Sequence, residues 1–250
     1  MSALREFVLE SGACVIADLH LDVEDEPSLE SFLAWLPACQ GAPQLLILGD
    51  LFEFWVGPVQ LEMPGARRVA EALARLHETG TELYIVPGNR DFLLGPGFEA
   101  ASGASVHMDG LVGILEHGKR VLFVHGDELV TDDKGHLRLR SVLRSRLLRW
   151  IAPRVPRALA FRMARKLRGA SKSSKSRKAP LEMEMKAEAC DLLALRHRAE
   201  VVVCGHAHRY RDELLPSGAR FVILDAYGDR RGVLRVLPGG ELLAGGLEAE

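Results

Sequence analysis

Asp18-x-His20, Asp50, Asn89, His125 and His206-x-His208 each follow closely on a short apolar run. Asp-x-His and His-x-His put two donors on one side of an extended backbone, which suits chelation. Gly49, Gly88 and Gly205 stand beside these donors and let the chain turn sharply and approach an ion. One such pair carries little weight. Five run ends that all deliver Asp, Asn or His point to a metal site. Four His, two Asp and one Asn with no Cys form a nitrogen and oxygen set, which favours Mn, Fe or Zn-like ions over a thiolate site. Seven donors exceed one tetrahedral site and suit two divalent ions sharing a bridging carboxylate. Two ions about 4 Å apart can acidify a shared water to hydroxide at neutral pH and clamp phosphoryl oxygens. No protein nucleophile is needed, and no Walker-type glycine loop is present.

These residues need elements to hold them. The apolar runs 13–17, 45–48, 83–86, 121–124 and 201–204 predict strands covered on both faces. In α/β sheets ligands gather at the carboxyl ends of strands, where the loops converge. Helical spacing covers 27–36 and 65–79, where Val69, Leu73 and Leu76 recur on one face. Segments 220–226, 232–237 and 241–244, broken by Gly/Asp/Arg and Pro-Gly-Gly, predict antiparallel strands with tight turns. Pro153 and Pro156 divide the apolar spacing of 134–168 into two helices, and Pro180 can start another.

The 250 residues include 32 Lys+Arg and 34 Asp+Glu, a formal charge of −2 that conceals a division. Positions 134–178 hold 16 Lys/Arg and no acid, leaving 16 basic and 34 acidic residues in the other 205. Hydrophobic content of 48% excludes a disordered chain. Apolar runs are far shorter than the roughly 20 residues of a membrane span. The first ten residues lack the apolar stretch of a secretory signal. Cys14, Cys39, Cys190 and Cys204 show no zinc-finger or redox spacing and are expected to be inert. Leu, Val, Ile and Met interleave with the Arg of the basic segment, suggesting an apolar lining at an anionic membrane surface. With only Trp150 and Phe161 as aromatics, the segment is poorly equipped to stack bases, so no nucleic-acid partner is expected.

In order and interval the seven donors resemble those of the calcineurin-like metallophosphoesterases. More narrowly, Gly88-Asn89-Arg90-Asp91-Phe92-Leu93-Leu94-Gly95 and the stretch from His125-Gly126-Asp127 to Asp132-Asp133 resemble the UDP-2,3-diacylglucosamine hydrolases. Those lipid A pathway pyrophosphatases yield UMP and 2,3-diacylglucosamine 1-phosphate. The resemblance extends from about residue 15 to 208 and includes Arg168, Ser171, Lys175 and Lys178. It implies a four-layer α-β-β-α sandwich formed by 1–133 and 180–250, with 134–179 inserted as a helical cap over lipid and substrate. By this resemblance Asp18, His20 and His208 hold one ion, Asn89, His125 and His206 the other, and Asp50 bridges two Mn²⁺. Asn89, Arg90 and His206 would act in catalysis. Asn89, Arg90, Asp133, Arg168, Ser171, Lys175, Lys178 and His206 would contact the UDP-sugar lipid. A cytoplasmic protein lying peripherally on the inner membrane follows. Two departures stand out: Pro58-Val59 occurs where the family has an acidic pair, and Ala207 and Tyr210 replace Thr and Pro around His208-Arg209. Neither removes a donor.

Arg90 narrows the chemistry. The broader superfamily places His after the Asn, and His can protonate an alkoxide leaving group. A guanidinium cannot, its pKa exceeding 12, but it can pair bidentately with phosphate. A phosphate leaving group, with a second pKa near 6, needs no such proton. A diphosphoester substrate fits better than an alkyl monoester. The rivals are another calcineurin-like phosphodiesterase, a nucleotide pyrophosphatase or nuclease, and a scaffold without metals. His77, His107, His117, His136 and His197 read as structural, as do Trp35 and Trp55. Asp91, Asp127, Asp132 and Asp225 are either supports for the donors or plain caps and turns.

Overall fold

The structure, a computed structural model, describes residues 3–131 and 185–248, together with positions 145, 154–156, 158, 159 and 162. The expected cap therefore lies outside the described residues apart from those few positions, as do Asp133, Arg168, Ser171, Lys175, Lys178 and Pro180.

A continuous apolar run gains its two faces from the backbone, because successive side chains in a strand point to opposite sides. In β3 (Gln44–Leu48), Leu45 and Ile47 enter one core while Leu46 and Leu48 enter another. β2 (Cys14–Ile16) and β4 (Glu82–Val86) divide in the same way: Ile16, Leu83 and Ile85 face out, Val15, Tyr84 and Val86 face in. These three parallel strands centre a six-stranded sheet completed by β5 (Ser105–Val106), β11 (Val233–Val236) and β12 (Leu242–Gly245), in the order β12-β11-β2-β3-β4-β5. The second sheet contains β1 (Arg5–Val8), β6 (Leu111–Ile114), β7 (Arg120–Phe123), β8 (Val201–Cys204), β9 (Arg211–Leu214) and β10 (Arg220–Ile223). Its order is β1-β6-β7-β8-β10-β9.

The sheets pack face to face on a shared core that includes Leu46, Leu48, Val121, Phe123, Val201 and Val203. Burying each such side chain contributes roughly 1.5–3 kcal/mol. On the outer face of the first sheet, α1 (Glu26–Trp35) and α2 (Pro64–Glu78) bury Leu29, Phe32, Val69, Leu73 and Leu76. α3 (Pro96–Ser102) adds Phe98 to that layer. On the outer face of the second, α4 (Ala187–His197) buries Cys190 and Ala194 against Leu122, Val202 and Cys204. Helix, sheet, sheet, helix is the four-layer fold expected.

Two details differ from the sequence reading. A 3-10 turn, Leu36–Cys39, follows α1 at Pro37, whose missing N–H ends the helical ladder. The helix expected to start at Pro180 lies outside the described residues, and α4 starts at Ala187 after an extended Lys186. The C-terminal strands do not form one antiparallel set. β11 and β12 pair antiparallel, but β10 lies in the other sheet, parallel to β8. Phe221 and Ile223 bury against the α4 layer, and that demand outweighs closeness in sequence. Sequence pattern also misses β1, β5, β6, β9 and α3; β9 reads Arg-Asp-Glu-Leu, a half-exposed edge strand. Among the described residues no helix is long and apolar enough to cross a membrane.

Candidate metal centre

The carboxyl ends of β2, β3 and β4 meet those of β7 and β8 across the two sheets. The Leu48 carbonyl at the end of β3 lies 3.0 Å from Nδ1 of His125, which follows β7. The His206 amide, after β8, donates to Oδ2 of Asp18, after β2, at 2.5 Å. All seven expected donors gather here.

Backbone conformation helps to aim them. Asp18, His20, Asp50, His206 and His208 have φ of 53°, 50°, 49°, 69° and 52°. Only His117 and Arg198 share the left-handed region among the other described non-glycine residues. Asp and His are enriched there, yet each such residue costs on the order of 1–3 kcal/mol, and such strain clusters at functional sites. The glycines act by close approach. A methyl group on Gly49 would overlap the His125 ring, one on Gly88 the Asp50 carboxylate, and one on Gly205 the Asp18 carboxylate.

The donors fall into two overlapping groups. His20 Nε2 faces His208 Nε2 at 2.9 Å, with Asp18 Oδ1 3.6 Å from the latter. His206 Nδ1 faces His125 Nε2 at 3.1 Å, and Asn89 Oδ1 lies 3.3 Å from the same His125 atom. Asp50 reaches both, its oxygens 3.8 Å from His20 Nδ1 and 3.9 Å from His125 Nε2. Asp18, His20 and His208, and again Asp18, Asp50 and His125, each offer ligand atoms within 4.8 Å of one another.

These residues fit divalent cations. Each facing imidazole pair can hold one proton between its nitrogens or direct lone pairs at a cation. Buried Asp18 Oδ1 accepts no hydrogen bond, an arrangement that costs roughly 1–3 kcal/mol unless a cation answers it. The protonation balance agrees. Burial, reinforced by Asp91 and Asp18, pushes the Asp50 carboxyl up to about 7 against the pull of His125 and Arg90. Burial disfavours charge on His125, but Asp50, Asp18 and Asp127 outweigh it and raise the imidazole to about 9. For Asp18 burial is likewise the largest influence, yet His208, His125 and His206 together hold it below the ordinary carboxylate value. Asp50 and His125 thus hold protons that a bound cation would displace.

Around the donors, Asp91 is fully buried and accepts from the amides of Leu51 at 2.8 Å and Gly88 at 2.7 Å. It locks the loop after β3 to the loop after β4, a support rather than a turn cap. Asp225 accepts from the Tyr210 amide at 2.7 Å and the Arg231 amide at 3.2 Å, bracing the chain just beyond His208. Arg231 covers the Tyr210 ring at 4.4 Å, so the departure at Tyr210 is accommodated outside the donor cluster. Pro58 packs on Gly97 at the start of α3. Trp55 stacks on Phe52 and Trp35 packs near Phe32, both as structural residues. Arg90 donates its amide to Asp50 Oδ1 at 2.9 Å, and its guanidinium pairs with Glu53. Sequence reasoning misses Glu53 because a lone glutamate three residues past Asp50 obeys no ligand spacing.

Residues 13–210 match the calcineurin-like phosphoesterase family. The UDP-2,3-diacylglucosamine hydrolase of Pseudomonas putida (strain W619) is 36% identical over 222 residues, covering 87% of this chain and 91% of that protein. Its counterpart in Aeromonas salmonicida (strain A449) is 35% identical over 233 residues, covering 91% of each. Among solved structures, a dimetal phosphatase from Danio rerio aligns with a TM-score of 0.47 at 14% identity, covering 96% of this chain and 98% of that chain.

Proposed function

The chain belongs to the calcineurin-like phosphoesterases and, within them, to the family of the UDP-2,3-diacylglucosamine hydrolases; from that premise we propose that it hydrolyses UDP-2,3-diacylglucosamine to UMP and 2,3-diacylglucosamine 1-phosphate. The observation that carries this reading is the convergence of four imidazoles, two carboxylates and Asn89 on one rim, with a guanidinium beside them. Asp18, His20 and His208 would hold one divalent ion, Asn89, His125 and His206 the other, with Asp50 between. The nitrogen and oxygen donors suit Mn²⁺. Bound there, two such ions would supply Lewis acidity, acidifying water and drawing charge from phosphoryl oxygens.

The chain's own residues do the rest. The Arg90 guanidinium pairs with a phosphate oxygen, so charge on the departing phosphate is met without proton transfer. Asn89 and His206 orient the attacked phosphate. Asp133, Arg168, Ser171, Lys175 and Lys178 bind the remainder of the UDP-sugar lipid. The basic, apolar-interleaved stretch 134–179 caps the acyl chains and rests on the anionic cytoplasmic face of the inner membrane. No nucleic-acid partner is needed.

The deciding assay is mass spectrometry of products after incubation with UDP-2,3-diacylglucosamine and Mn²⁺. UMP should be released, EDTA should stop its release, and p-nitrophenyl phosphate should be a poor substrate. Inertness on the lipid, or a strong preference for the monoester, would overturn the reading.

A further inference from the structure

Glu53 lies on the loop after β3, tied to the loop after β2 by its amide, which donates to the Leu21 carbonyl at 3.0 Å, and by the bridge between Leu21 and Phe52. Its side chain, 20% exposed, faces two groups at once. Oε1 pairs with Nη1 of Arg90, and Oε2 lies 3.6 Å from Nδ1 of His20. His20 turns its other nitrogen, Nε2, toward His208, whose Nε2 lies 3.6 Å from Asp18 Oδ1.

An imidazole that offers Nε2 to an ion carries its proton on Nδ1, and a carboxylate at Nδ1 fixes that tautomer and the ring's orientation. Arg90 has a parallel need. A long guanidinium side chain loses rotamer freedom when fixed, and a partner that holds it beforehand removes much of that cost from substrate binding. Asp50 is near the same two groups, 3.8 Å from His20 Nδ1 and 3.5 Å from Arg90 Nε. As the residue between the two donor groups, however, Asp50 would turn its charge to ions held there. Glu53 remains to answer both His20 and Arg90, which arrive on loops after different strands.

We propose that Glu53 is a positioning residue that sets the His20 tautomer and presents the Arg90 guanidinium to the diphosphate, so that metal affinity and substrate affinity depend on one carboxylate. This rests on the functional reading above. The test uses the full chain with Glu53→Gln and Glu53→Asp, titrated calorimetrically with Mn²⁺ alone and then assayed on the UDP lipid at saturating Mn²⁺. Glu53→Gln should weaken Mn²⁺ binding by roughly 10–100-fold and raise KM more than it lowers kcat, with Glu53→Asp recovering part of the Mn²⁺ affinity. In an Arg90→Ala background, Glu53→Gln should still weaken Mn²⁺ binding but no longer change KM. Unchanged Mn²⁺ affinity, or a KM effect that persists without Arg90, would overturn the proposal. Loss of folding in EDTA by both variants would also overturn it, by assigning Glu53 to the scaffold. A parent protein that binds Mn²⁺ but leaves the lipid intact sinks the substrate reading, while the titration still decides the role of Glu53 at His20.

Discussion

Residue 90 separates the chemistry this centre can do from what it must leave to the leaving group. On the proposed reading, the guanidinium beside Asn89 gives no proton to the leaving group, which favours a departing group stable as an anion. Arg90 is set by Asp50 and Glu53. Lysine keeps the charge but loses the planar fork, and a charged hydrogen bond contributes about 1.5–3 kcal/mol. Arg90→Lys should therefore lower kcat/KM for the UDP lipid by roughly 10–100-fold, while Mn²⁺ affinity moves by no more than a few-fold. Initial rates and a metal titration check both. At this scale the donors were legible as residue types beside apolar runs. Their left-handed φ values were not, because Asp and His adopt that region only where surrounding structure enforces it.

The strand ends bring the candidate donors together because neighbouring elements come close enough to touch them. Gly49 has φ of +83° and would thrust a methyl into the His125 ring, whereas Gly80, at φ +100°, has nothing within 4 Å. Gly80→Ala should lose about 1–2 kcal/mol from the left-handed conformation alone. Gly49→Ala should lose more and, unlike Gly80→Ala, should abolish tight Mn²⁺ binding. Urea unfolding in EDTA and Mn²⁺ titration of the two variants measure the contrast; equal behaviour would refute the close-packing account. Buried central strands were readable from composition because both faces are apolar. The edge strand β9, with its two acids and an arginine, was not, since pairing with β10 rather than burial makes it a strand.

Across the whole molecule, a buried cluster of carboxylates and imidazoles links stability to pH and metal. In the metal-free protein Asp50 is raised to about 7 from an ordinary 3.8, and His125 to about 9 from 6.5. Both bind protons more tightly when folded, so their contribution is fully present below the unfolded pKa values and is lost as pH rises through the folded ones. The lowered Asp18 works in the opposite sense, but only in the acid range. Thermal unfolding in EDTA should thus show stability falling between about pH 4 and pH 9. Mn²⁺ should reverse the loss at the upper end by displacing those protons, adding about 2.7 kcal/mol per site at a free concentration 100 times Kd. A metal-free stability that rises across that range would contradict the assignment.

The sequence alone determined the candidate donors and the central strands that carry them, because ligand chemistry and two-sided burial are both written in residue types. The resemblance of short motifs carried the reading further, to the four-layer architecture, a family and a substrate. Only the tertiary structure decided that β10 leaves its C-terminal neighbours for the other sheet, that five donors sit at positive φ, and that Glu53 stands between His20 and Arg90. Each of these depends on which elements meet in the folded chain, and contacts between residues distant in sequence leave no local pattern to read.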